Sequence, residues 1–177
     1  MAVDPEKQIS GLWKALQGSQ ESTRKTFYQM RQVLLEVAGP DANPFDLGVK
    51  AWDFIGKDMG KANLPRMNLL KGVEGLMMNV ARAYQGLAAT NGAVVNIEKG
   101  ENTNELFIKW LRCPWPTAAK ENGVSMDEDL KGCDAYLQAF LEEVNAFLGT
   151  NLKIETLKAI PSGDGVCIRR LYNPEDK

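Results

Sequence analysis

The sequence predicts an α+β fold, in which an antiparallel sheet built from two β-hairpins has one face covered by about four helices. Apolar residues recur at helical spacing up to about residue 85. They then alternate over residues 93–98 and 105–111, and alternate again over 152–160 and 166–172. A helical stretch separates these two hairpins. Helices packed over one face of an antiparallel sheet are the simplest arrangement of such a chain.

Three helices are predicted in the first part of the chain. The first covers residues 5–38, and its polar centre around Gly18 indicates either a break or a solvent-facing turn. Asn43 is suited to cap the second helix, which begins at Pro44. The third runs from about residue 68 to 85.

The fourth helix has the clearest signals at its ends. Ser125 and Glu128 form a capping box at its start, and Gly149 ends it. Before it, residues 113–116 read Cys-Pro-Trp-Pro, which predicts a stiff loop, and residues 117–125 read as a polar connection.

Composition limits the class of protein. The chain has 177 residues, which predicts one domain over 1–177, with N-terminal helices in 1–64 and an α+β core in 65–172. Its 21 basic and 23 acidic residues form no basic block, which argues against a nucleic-acid partner. No apolar run is long enough to span a membrane, and the N-terminus lacks the apolar core of a signal peptide, so we expect a cytoplasmic protein.

The residues available for chemistry are also limited. The chain has no histidine, so proton transfer falls to carboxylate, thiolate, lysine, tyrosine or water. Its three cysteines are an odd number and widely spaced, which argues against a secreted disulfide framework. Protein ligands to a metal would therefore be sulfur or oxygen.

The three cysteines occupy three structural contexts. Cys113 follows the second predicted strand, Cys133 lies on the apolar stripe of the fourth helix, and Cys167 alternates with its neighbours in the last strand. Each could be an ordinary buried thiol. If the fold brings them together, they form one site, and three thiolates suit zinc or an iron–sulfur cluster.

Two charged residues lie next to these cysteines. Asp134 is at the edge of the helical stripe, where a carboxylate can be a solvated residue, a partner of a ligand or an oxygen ligand. Arg169 shares a strand face with Cys167, where it would lower the pKa of the thiol and could pair with a substrate carboxylate. The alternative is a mixed face at a sheet edge.

Taken together, these motifs resemble a known family. Cys-Pro after the first hairpin, Cys-Asp on the next helix, and Gly-Asp-x-x-Cys entering the last strand resemble the L-2-amino-thiazoline-4-carboxylic acid hydrolases and the related 4-vinyl reductase domains, over residues 65–172. The resemblance implies a fold like that of trafficking-complex subunits, often dimeric through helices. It also implies that the cysteines gather at one end of the sheet, near Asp134.

Three functions remain open. The first is a protein that binds a small molecule or a metal at a site formed by Cys113, Cys133 and Cys167. The second is a metal- or thiol-dependent hydrolase that opens a thiazoline-carboxylate-like ring. In that hydrolase Asp134 and Cys113 would be catalytic, zinc or an iron–sulfur cluster would activate water, and the substrate would be held by Arg112, Trp115 and Arg169. The third is a structural homodimer with buried cysteines.

Overall fold

The computed structural model describes residues 5–174, in which five α-helices and one four-stranded antiparallel sheet form an α+β fold. The predicted fold class is therefore confirmed. Residues 1–4 and 175–177 of the predicted domain lie outside the described residues, and with them lies part of the N-terminal sequence used to predict the compartment.

The elements follow one another as the sequence predicted, with one helix added. Their bounds are α1 Pro5–Ala38, α2 Pro44–Asn63, α3 Gly72–Thr90, β1 Val94–Lys99, β2 Glu105–Arg112, α4 Trp115–Glu121, α5 Met126–Leu148, β3 Lys153–Lys158 and β4 Cys167–Tyr172.

The sheet has the strand order β1-β2-β4-β3, and every neighbouring pair is antiparallel. Side chains alternate between its faces. The buried face carries Trp110 of β2 directly opposite Cys167 of β4, and Arg169 opposite Ile108. Cys167 and Arg169 therefore belong to the covered face of a central strand, so the alternative of a mixed face at a sheet edge is wrong.

The ends of α5 are where the sequence placed them. The Ser125 hydroxyl accepts a hydrogen bond from the Glu128 backbone N–H at 3.1 Å, and Gly149 has a φ of 67°. This helix packs closely on α2. A Cβ atom at Gly56 of α2 would lie 2.3 Å from the carbonyl oxygen of Tyr136 in α5, so the helices can approach this closely only because residue 56 is glycine.

Of the two alternatives at Gly18, the solvent-facing turn is confirmed, because the helix α1 runs through this exposed residue without a break. Two local predictions need correction. The predicted connection over 113–125 contains α4, where Pro116 lies in the first turn and its missing N–H costs no helical hydrogen bond. The third helix begins at Gly72 instead of residue 68, because Gly72 has a φ of 65°.

Among residues 5–174, no helix combines the length and the apolar character needed to cross a membrane.

Candidate functional site

A cavity of about 320 Å³ lies between the helices and the buried face of the sheet. All five helices and the two central strands contribute to its wall. The wall is mainly apolar and aromatic, and three of the four tryptophans of the chain belong to it: Trp52, Trp110 and Trp115. The nearby Tyr84 hydroxyl is already bonded, because it donates to the Leu137 carbonyl at 2.7 Å.

An aromatic cluster closes one side of this cavity. Trp52 of α2 lies between Phe27 of α1, at 4.4 Å between ring centroids, and Trp115 of α4, at 4.8 Å. The Trp52 and Trp115 rings meet edge to face, the geometry that aromatic pairs prefer. The helix α4 is what holds Trp115 against this cluster.

The three cysteines all line this one cavity. Cys113 directly follows β2, Cys133 lies in α5 and Cys167 in β4. Each sulfur accepts a hydrogen bond. The donors are the backbone N–H of Trp115 to Cys113, the backbone N–H of Ile160 to Cys167 at 3.2 Å, and the guanidinium of Arg169 to Cys133 at 3.6 Å.

Burial keeps these thiols protonated near neutral pH. It raises the pKa of Cys113 to about 12 and that of Cys133 to about 11, and it raises the pKa of Cys167 as well. The thiolate is the form that ligates metals and attacks electrophiles. These surroundings therefore make all three cysteines poor nucleophiles.

The donors also do not fit the metal centre that the sequence suggested. Within the described part of the chain, no three cysteine, aspartate or glutamate side chains are arranged to hold a metal ion. A structural zinc ion needs four ligands at about 2.0–2.3 Å. The zinc or iron–sulfur prediction thus has no support from the geometry, although the three predicted metal ligands share a cavity wall.

Arg169 is the buried cation of the site, with 2% of its surface exposed. Its Nη2 atom lies 3.2 Å from Asp134 Oδ1, and its Nη1 atom donates to the Lys158 carbonyl at 3.5 Å. Within residues 5–174, its buried Nε atom has no hydrogen-bond partner. In that part of the chain, the guanidinium is therefore held by contacts of 3.2 to 3.6 Å and is incompletely paired.

Asp134 lies on the other side of Arg169. It lines a second, polar cleft of about 230 Å³ together with Thr156 and Gln138, and it does not line the apolar cavity. The Thr156 hydroxyl donates to Asp134 Oδ1 at 2.6 Å. Arg169 lines both spaces and forms part of the wall between them.

The structure therefore brings together only some of the predicted site residues. The three cysteines, Trp115 and Arg169 line the apolar cavity, and Asp134 reaches it only through Arg169. Arg112 is exposed, donates to the Gly92 carbonyl at 3.2 Å and does not line the cavity.

Sequence reasoning missed Asp129, which also lines the cavity and is 7% exposed. Burial, and then the neighbouring Glu128, raise the pKa of Asp129 to about 6, against the opposing effect of Arg169. A signal was present, because Asp129 lies four residues before Cys133 and thus on the same face of α5.

Comparison with solved structures supports the fold. The chain is similar to the trafficking protein particle complex subunit 3 from Naegleria fowleri, whose crystal structure is described as covalently bound to palmitic acid. The TM-score is 0.50 at 16% identity, over 89% of this chain and 96% of that chain. The predicted trafficking-subunit-like fold is thus confirmed.

No protein-family profile matches the sequence. No curated protein matches it either. The resemblance to the thiazoline carboxylate hydrolases and 4-vinyl reductase domains therefore rests on the three cysteine motifs alone.

Proposed function

We propose that the protein binds a small, predominantly apolar molecule in the cavity between its helices and sheet. The observation that carries this proposal is the cavity itself, because a concave pocket lined mainly by apolar and aromatic side chains is the usual form of a small-molecule site. A volume of about 320 Å³ falls within the range of ligand sites, about 300–1,000 Å³. At about 30 Å³ per water-sized group, it holds a ligand of roughly ten non-hydrogen atoms.

The similar trafficking subunit supports this class of ligand. That protein is bound covalently to palmitic acid, so a fold of this type can carry a molecule with a long apolar chain. The aromatic wall formed by Trp52, Trp110 and Trp115 offers such a molecule flat apolar surfaces.

The other two functions are less well supported. A hydrolase would need Asp134 to move a proton in the cavity, but Asp134 faces the polar cleft, and the raised thiol pKa values disfavour nucleophilic attack. A purely structural role for a domain with buried cysteines would not explain the cavity. Hydrolysis of a thiazoline carboxylate stays a prediction from the motifs.

Binding of octanol tests the proposal. We expect octanol to bind with a Kd of about 0.1 mM or lower, because its chain leaves water for an apolar cavity. Ala88→Phe should weaken binding at least about tenfold, since Ala88 lines the cavity and the ring fills it. Trp13→Phe is the background for fluorescence titration, because Trp13 is 61% exposed and the other three tryptophans line the cavity.

The matched control is Ala89→Phe. Ala89 is the next residue of α3, but it is exposed and outside the cavity wall. It should leave octanol affinity unchanged within about twofold, as expected for a surface substitution. Equal weakening by both variants, or no saturable binding by the parent protein, would contradict the proposed function.

We also propose that the protein forms a homodimer through α1. This helix exposes a set of apolar side chains along its length: Ile9, Leu12, Trp13, Leu16, Met30, Val33, Leu34 and Val37. An exposed apolar patch of this extent marks an interaction surface, and closed two-fold dimers are the commonest oligomers. The similar protein is a subunit of a particle complex, which is compatible with assembly through such a surface.

Light scattering on a sizing column tests the dimer. We expect twice the mass of the chain at micromolar concentration, and at least about tenfold weaker association for Trp13→Glu, because the carboxylate would be buried unpaired. Ser10→Glu adds the same charge at an exposed position of α1 that is not among its apolar side chains, and it should leave the dimer intact. A monomeric parent protein would contradict the dimer.

A further inference from the structure

We infer that the ligand carries a single carboxylate, which pairs with the buried guanidinium of Arg169. This inference rests on the proposed function and adds the chemical class of the ligand. It is carried by the position of Arg169 in the cavity wall and by the incomplete pairing of its N–H groups.

Several N–H groups of Arg169 lack a strong hydrogen-bond partner. A guanidinium has five N–H groups in a rigid fork. Among the residues described, the partners of Arg169 are one carboxylate oxygen at 3.2 Å, one thiol at 3.6 Å and one carbonyl at 3.5 Å, and Nε has none. Hydrogen bonds from arginine to carboxylate are usually about 2.7–2.9 Å long, so none of these contacts is a strong one.

Asp134, the carboxylate that lies closest to Arg169, is also a weak counter-charge for it. Asp134 is 30% exposed, and its Oδ1 atom also accepts the Thr156 hydroxyl. In contrast, Arg170 on the outer face of the same strand bonds two carboxylates, Glu105 at 2.7 Å and Glu155 at 3.1 Å. The more buried arginine thus has the poorer pairing, which is the reverse of what desolvation of a charge demands.

The surroundings of Arg169 indicate the type of anion that binds there. The wall around Arg169 is apolar and aromatic, which suits an organic acid better than a free inorganic anion. Asp129 also lines the cavity and supplies one negative charge when ionised. A second anionic group on the ligand would meet this carboxylate in a poorly solvated space, so the site suits a monoanion. A carboxylate can bind the guanidinium through two parallel hydrogen bonds.

Octanoate and methyl octanoate provide the test, because they share a chain and differ in charge. We expect calorimetry at pH 7.5 to show at least about tenfold tighter binding of octanoate by the parent protein. Arg169→Gln should abolish this preference, so that the variant binds the acid no more tightly than the ester. Arg170→Gln removes the same charge from the outer face of β4 and should leave the preference intact.

The outcomes separate the inference from the function on which it rests. Equal affinity of the parent protein for acid and ester would overturn the inference that the ligand carries a carboxylate. The proposed apolar binding site would be unaffected by that result. Failure of both to bind overturns the site. Preference for the acid that persists in Arg169→Gln overturns the role of Arg169.

A second measurement does not depend on the folding of a variant. Carbon NMR of octanoate labelled at the carboxyl group, titrated in complex with the parent protein, should give a pKa below that of free octanoate, because an adjacent guanidinium favours the charged form. A raised carboxyl pKa in the complex would place that group in the apolar part of the cavity, away from Arg169, and would overturn the inference.

Discussion

Glu128→Ala is expected to lower the free energy of unfolding by about 3–5 kcal/mol, because it leaves a largely covered arginine without its partner. Arg31 of α1 bonds both oxygens of Glu128 in α5, from Nε at 2.6 Å and from Nη2 at 2.7 Å. The two side chains are only 12% and 7% exposed. Such a bidentate pair is among the stronger hydrogen-bonded contacts.

Chemical denaturation measures this loss. The midpoint should fall with an unchanged m value, and Tm should drop by about 10 °C for a chain of this size. The matched control is Glu142→Ala, an exposed glutamate of the same helix, which should change stability by less than about 0.5 kcal/mol. Similar losses in the two variants would show that the ion pair is not the cause.

A double variant separates the pair from its burial. Arg31→Leu/Glu128→Leu removes both charges and should recover most of the loss, since apolar replacements of buried pairs are often neutral. The space for a side chain at position 128 is limited by α2, because a Cβ atom at Gly48 would lie 2.1 Å from Glu128 Oε1.

The Arg31–Glu128 pair also holds α1 in place, and α1 contributes Thr23 and Phe27 to the cavity wall. Glu128→Ala should therefore also weaken octanol binding.

Features encoded by neighbouring residues could be predicted from the sequence. The capping box of Ser125 and the left-handed Gly149 depend on a few adjacent positions, and both ends of α5 were placed correctly. The alternation in β4 also reads locally, so Cys167 and Arg169 were correctly predicted to share one face of their strand.

Features that depend on distant packing could not be predicted. The Arg31–Glu128 pair joins positions 97 residues apart, and no local sequence pattern predicts such a contact. The helix α4 was missed because proline on either side of Trp115 normally indicates a loop, although Pro116 is tolerated in a first turn.

The same limit explains the candidate site. Asp134 drew attention because it follows Cys133, yet adjacent helical residues point about 100° apart. Asp129, one turn away from Cys133, shares its face and reaches the cavity. The cavity lies between elements that are distant in the sequence, with walls from all five helices, β2 and β4. Its existence therefore depends on side-chain volumes from every layer of the fold.

Asp129→Asn is expected to stabilise the protein at pH 7, because it removes a charged group from the interior. Burial, and then Glu128, raise the pKa of the Asp129 carboxyl to about 6, above the value of about 3.9 in an unfolded chain. The folded state therefore binds this proton more tightly than the unfolded state does. The contribution of Asp129 to stability is fully present below about pH 4, and it is lost as the pH rises through about 6.

The size of this effect follows from the difference between the two pKa values. About two pH units correspond to about 3 kcal/mol, which is the largest gain expected for Asp129→Asn at pH 7. Urea unfolding at pH 4 and at pH 7 measures it, and the variant and parent should converge at pH 4. Asp127→Asn is the control, because Asp127 lies in the same first turn of α5 but is exposed. Both substitutions therefore remove a charge favoured by the helix dipole.

An Asp129→Asn protein less stable than its parent at pH 7 would mean that the ionised carboxylate is well paired, with Arg169 as its partner. The guanidinium would then have no unmet charge to offer a ligand acid.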